Sequence, residues 1–156
     1  MNQSLILRLL EFCQYVSCGI GIFLGISETS EKKYNTGLRK FVGIGVLPLS
    51  ILAAIRHIIL HGNIIKSSTP FFEMEAGGAN LAVAIASIVA LIQKMDNNSL
   101  ALICLIYAVY LSTSLVAWIM YIKTKKIAMI IGFIFIISAL LYFASMGFIH
   151  DKDEEN

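Results

Sequence analysis

Polar residues in this chain fall mostly in a few short stretches, and between them run long tracts in which almost every position is apolar. Five tracts reach the roughly 17–25 residues that a helix needs to cross the hydrocarbon core of a bilayer: 5–27, 41–61, 70–93, 100–122 and 127–149. Backbone groups in lipid must find their hydrogen-bond partners within the segment, so tracts of this kind are predicted to be helices. The pattern predicts an all-α integral membrane helical bundle, a single transmembrane domain over 1–150 with five spans, or four if one tract stops short. A polar, disordered tail follows over 151–156. The connections are expected at 28–40, 62–69, 94–99 and 123–126, and the last is so short that the fourth and fifth spans must form an antiparallel hairpin. The first tract reads as a retained span rather than a signal peptide, because Glu11 and Gln14 interrupt its apolar stretch and no clear basic cluster precedes it.

Composition sharpens this picture. Of 156 residues, 58% are hydrophobic and 14% charged, against about 25% charged in ordinary soluble domains. A soluble core has no use for that much apolar surface. The formal net charge of +2 is small and the basic residues cluster between apolar runs, so they read as membrane flanks and not as a nucleic-acid surface. The expected partners are the lipid bilayer and, through small-residue helix faces, copies of the chain or another membrane protein, with no nucleic acid. Cys13, Cys18 and Cys104 lie inside apolar runs without CxxC spacing, which leaves no support for a disulfide framework or zinc site; they read as small buried apolar residues.

Small residues predict where helices approach one another. Gly78, Ala82, Ala86 and Ala90 recur every fourth position in the third span, a seam expected to pack closely, since packing drives association in lipid. Gly21 and Gly25 make a shorter notch on the first span, expected to face the third. Pro48 is expected to kink the second span. Trp118, Tyr121, Phe71 and Phe72 are expected to form an aromatic belt at one membrane surface.

The candidate chemistry gathers at that same surface. Arg56, His57 and His61 end the second span and Glu73 and Glu75 begin the third, so antiparallel packing predicts a shared polar cluster. Ser50, Ala54, His57 and His61 share one helical face. Glu75 stands over Gly78 and Ala82 and is expected to be the buried acid, while Glu73 faces headgroups. Thr69 and Pro70 read as an N-cap followed by proline at the first helical position. Three readings of the cluster stand side by side. Arg56 or a protonated histidine neutralises Glu75 as a structural pair; or the titratable groups mark a proton, ion or solute path; or His57 and His61, four residues apart, hold a metal ion with Glu75 completing the shell. A metal ion is thus the cofactor to consider. No GxSxG, HExxH or phosphate-binding loop is present, so the chain leans away from being an enzyme.

The stretch Ser68-Thr69-Pro70-Phe71-Phe72-Glu73-Met74-Glu75-Ala76-Gly77-Gly78-Ala79-Asn80-Leu81-Ala82 resembles a signature of small bacterial polytopic membrane proteins of unknown function, with Phe72 for the usual glutamine and Ala76 for the usual valine. It covers about a tenth of the chain. The resemblance implies a bacterial origin, hence a plasma membrane, and special roles for Pro70, Glu75 and Asn80, the last as an interhelical hydrogen bond in preference to a ligand contact. Arg8, Lys66, Lys123, Lys125 and Lys126 fall at one surface and Lys32, Lys33, Arg39, Lys40, Lys94 and Lys152 at the other. The four basic residues of the first connection favour an outer N-terminus, and the 123–126 hairpin argues the reverse. The function expected is a small transport-associated or accessory membrane protein; a membrane-embedded metal or redox enzyme and an immunity-type partner-binding protein are the alternatives.

Overall fold

The computed structural model describes the backbone of residues 3–61, 70–122 and 127–150 and the side chains of 5–59, 73–120, 127 and 129–150. The described chain is helical throughout apart from short turns, with no strand. Five helices are long and apolar enough to cross a membrane, and the protein is an all-α, multi-pass integral membrane bundle. Helix α1 runs over Gln3–Ser30. Helix α2 is continuous over 34–61, with α-helical parts at Tyr34–Lys40 and Leu47–Ile55 and wider, π-type turns at Phe41–Val46 and Arg56–His61. Helix α3 is Pro70–Ile92. Helix α4 is Asn97–Ala117, running on through a π-type stretch at Trp118–Ile122. Helix α5 is Ile127–Ile149. The tail 151–156 and the connections 62–69 and 123–126 lie outside the described residues.

The second helix begins earlier than its apolar tract suggests. The expected loop over 28–40 shrinks to a turn at 31–33, because the polar first turns of α2 pack against the end of α1. Gly37 meets the Gly25 carbonyl and Thr29, and Leu38 is buried. Lys32 and Lys94 carry positive φ of 62° and 50° and end α1 and α3. At each, the N–H one residue further on reaches five residues back, Lys33 to the Glu28 carbonyl and Met95 to the Ala90 carbonyl, both at 3.0 Å. These bonds satisfy carbonyls that a helix end leaves open.

Pro48 leaves helix α2 continuous. It has no N–H to offer the preceding turn, and the wider π register just before it absorbs the mismatch: the Leu47 N–H reaches the Val42 carbonyl. Gly21 and Gly25 do form a close-packed notch, against α2 and not α3. A Cβ on Gly21 would lie 2.5 Å from the Gly45 nitrogen, and one on Gly25 would strike the Phe143 ring. Helices α4 and α5 form the expected hairpin, with Gly147 against Ala101 and the Asn97 carbonyl.

The seam expected on α3 is on the wrong side. Gly78, Ala82 and Ala86 are exposed, and a Cβ on Gly78 would meet nothing within 4 Å. Of that seam Ala90 alone is buried. The packed face carries Ala76, Gly77, Asn80, Val83, Ala84 and Ser87, and a Cβ on Gly77 would collide with Ile58 and crowd His57. The helix is rotated because both faces are apolar and both carry small residues, so the pattern alone does not choose between them. Ala79, Ala82 and Ala86 instead line an outward groove of about 410 Å³ with Ile103, Ile106 and Tyr110. Cys13 is likewise exposed, whereas Cys18 and Cys104 are buried. The outer surface carries large apolar side chains such as Phe12, Phe23, Ile92 and Ile131, an arrangement suited to lipid and costly in water.

The core runs through the middle of the bundle and towards the end that holds residues 31–33 and 93–96. Phe41 stacks on Phe143 with ring centres 4.0 Å apart, and Leu38, Val42, Leu100, Ala101, Cys104 and Leu140 close around them. That end is tied by polar contacts. The Asn35 amide donates to Asn97 at 2.8 Å, the Asn97 amide donates to the His150 carbonyl at 3.1 Å, Arg39 donates to Asn35 and to the Met95 carbonyl, and the Tyr34 and His150 rings stack at 3.6 Å. Lys40 pairs with Glu28.

Candidate functional site

The opposite end of the bundle is built differently. Where α2 passes into its last π-type segment it presents Arg56 and His57 to two neighbours. The Arg56 guanidinium donates to Glu11 of α1 at 3.1 Å and to His57 Nε2 at 3.4 Å. Arginine can only donate, so Nε2 accepts and the ring proton sits on Nδ1, which faces the Glu73 carboxylate of α3 in a short contact. Glu11, Arg56, His57 and Glu73 therefore form one chain of charge-assisted hydrogen bonds across α1, α2 and α3. His57 and Glu73 side chains are only 16% and 15% exposed, whereas Glu11 is half exposed. The wide helical turn at this point fits the habit of π-type turns to sit at functional positions.

Behind this chain lies a cavity of about 80 Å³. Its polar lining is Gln14, Tyr15, Arg56, His57, Asn80, Tyr107, Tyr110 and Ser114, and its apolar wall includes Ala53, Leu111, Trp118, Phe133 and Ile136. At the floor, the Tyr107 hydroxyl donates to Asn80 Oδ1 at 2.9 Å, the Asn80 amide donates to the Ala76 carbonyl at 2.7 Å and to the Tyr110 hydroxyl at 3.3 Å, and the Tyr110 hydroxyl donates to the same carbonyl at 3.2 Å. Gln14 donates to the Leu49 carbonyl at 3.3 Å. Polar floor groups are thus held by one another, as buried polar groups in lipid must be. Arg56 Nε is the exception: it is buried and has no partner among the described residues. One to two turns deeper the packed core with Cys18, Val46, Cys104 and Leu140 shuts the cavity off from the far end. The result is a recess of mixed polar and apolar lining at the end of the bundle that holds Arg56 and His57.

Several expected site residues fall elsewhere. Glu75 is exposed and turned away from the cluster, and the acid that pairs with α2 is Glu73. The cause is the rotation of α3 already described, which seats Gly77 against Ile58. The histidine pairs with this acid while Arg56 turns to Glu11, a residue that reads along the chain only as a break in an apolar run. The expected metal set of His57, His61 and Glu75 is not assembled by the described residues: Glu75 points outward, and the His61 side chain lies outside them. Among the described residues no three His, Cys, Asp or Glu side chains converge to hold an ion. Trp118 lines the cavity and is half-buried; the side chains of Phe71, Phe72 and Tyr121 are outside the described residues.

Glu11, Gln14, Tyr107, Tyr110 and Ser114 were not legible as site residues in the chain, yet a signal exists. Glu11 and Gln14, and again Tyr107 and Tyr110, are polar positions three apart inside apolar runs, a spacing that sets each pair on one helix face. Polar residues at that spacing in a lipid span point to a shared interior. Comparison with models of known protein families, with curated proteins and with solved structures finds no match for the chain.

Proposed function

We propose that this protein is a small transport-associated membrane protein that takes a small polar solute into the recess behind Arg56. The carrying observation is the cavity itself: a space lined by an arginine, a glutamine, an asparagine, three tyrosines and a serine between five membrane helices. Polar groups inside a bilayer are costly and are kept where they handle a polar species. A lipid-facing bundle that only needed stability would fill this space with apolar side chains. The closed far end makes the recess one half of a path, so passage requires the core around Phe41 and Phe143 to part while the solute is bound. The resemblance of residues 68–82 to bacterial polytopic proteins supports placing it in a bacterial plasma membrane.

The test is solute flux in proteoliposomes followed by stopped-flow light scattering, with urea, formamide, formate and acetate as solutes. Wild-type vesicles swell faster than protein-free vesicles with at least one of them, and Ala53→Leu, which fills the recess, returns the rate to the protein-free level. Swelling rates that match protein-free vesicles for all four solutes refute the transport reading.

A further inference from the structure

We propose that the solute held in this recess is a small monovalent carboxylate, of the size of formate or acetate, bound by the Arg56 guanidinium. The inference rests on the reading of the recess as a solute site and adds the chemical class. Three observations converge on it.

Arg56 is the one cationic side chain in the lining; it is paired with Glu11 through a terminal nitrogen and has one N–H direction to spare. Arg56 donates through its two terminal nitrogens to Glu11 and His57, while Nε stays buried without a partner among the described residues. Leaving a charged N–H without an acceptor in a low-dielectric space is unfavourable, so the position calls for an acceptor, best an anionic one. The neighbouring carboxylates do not compete for the space: Glu11 sits at the rim, Glu73 is engaged by His57, and neither lines the cavity.

The remaining lining is polar but uncharged. Asn80, Tyr107 and Tyr110 spend their hydrogens on one another and on the Ala76 carbonyl, so the floor stays neutral and polarisable. Tyr15 and Trp118 add further N–H and O–H bearing side chains to the wall. The apolar part, Ala53, Leu111, Phe133 and Ile136, suits a methyl group or a C–H opposite the carboxylate.

Size limits the ligand. A cavity of about 80 Å³ holds about five waters, taking ~15 Å³ of centre space for each. Formate and acetate fit within that, whereas an amino acid with a charged amine, or a dicarboxylate, brings a second charge for which the lining supplies no partner of opposite charge.

Trp118 lines the recess and is the single tryptophan of the chain, so its fluorescence reports occupancy directly. Detergent-purified protein is titrated with sodium formate and sodium acetate, at constant ionic strength set by sodium gluconate, which is too large for the space, and in parallel with the neutral isosteres formamide and acetamide. The expected result is a saturable change in emission with the two anions, no competition from the amides, and a loss of affinity of about tenfold or more in Arg56→Gln. Ala53→Leu leaves the Arg56 side chain unchanged and is expected to remove the response to formate and acetate by filling the recess, so the outcome does not depend on Arg56→Gln folding. Amides that bind as tightly as the anions, or an Arg56→Gln protein that folds and keeps its affinity for acetate, overturn the carboxylate assignment while leaving the polar-solute site intact. Absence of any saturable response overturns both.

Discussion

Glu73 and Glu75 are two positions apart, which turns them roughly 200° from each other around a helix, so only one of them can face α2. The structure gives that place to Glu73, against His57. Glu73→Gln removes a charge-assisted hydrogen bond from a largely buried pair and is expected to lower stability by about 1–3 kcal/mol. Glu75→Gln alters an exposed side chain and is expected to change it by less than about 0.5 kcal/mol. Thermal unfolding in detergent separates them; equal losses would place both acids in one environment. The same reasoning applies to adjacent glycines. Gly77→Ala pushes a methyl into Ile58 and displaces α3 from α2, whereas Gly78→Ala adds it to open space. The expected cost is about 1–3 kcal/mol for the first and none for the second, read from the same unfolding curves.

At the level of the helix, α4 has a side-chain cap at its start and α2 does not. Asp96 is the N-cap of α4, its side chain accepting from the Ser99 N–H at 2.8 Å. Hydrogen bonds from Ser99 hold its carboxyl below the ordinary value. A depressed folded value means that the contribution is present above the unfolded one, about 3.9, and is lost as pH falls through the folded one. Asp96→Ala is therefore expected to lower stability by about 1 kcal/mol at neutral pH, with the gap to wild type narrowing below about pH 4. A gap that stays constant down to pH 2 would show that the cap acts without its charge. Nothing comparable marks the start of α2. Its first turns are polar, and they are helical because Gly37 and Leu38 pack on α1 and Arg39 reaches the Met95 carbonyl. That information lies 10 to 60 residues away in the chain, out of reach of any local pattern.

The whole molecule has two unlike ends. One is latched by Asn35, Asn97 and His150 over a packed core; the other holds the recess. Asn97→Ala removes both side-chain bonds that join α2, α4 and the end of α5, and an expected loss of about 1–3 kcal/mol is measurable by thermal unfolding. The anion response of Trp118 should survive it, because the latch and the recess lie at opposite ends; loss of that response would mean that the two ends are coupled. The chain alone determined that this is a membrane bundle, roughly where its five helices cross, and that polar side chains of α2 and α3 meet at one end of it. Those properties depend on local quantities, the length of an apolar tract against the thickness of lipid and the need of every backbone group for a partner nearby. Which face of each helix turns inward was decided only by the tertiary structure. In a soluble protein water sorts the faces, but here lipid accepts apolar residues on either side, so small and apolar residues all around α3 left Gly77 and Gly78, and with them Glu73 and Glu75, equally eligible. Contact with Ile58 made the choice, and the choice placed Asn80 against Tyr107 and opened the recess beneath Arg56.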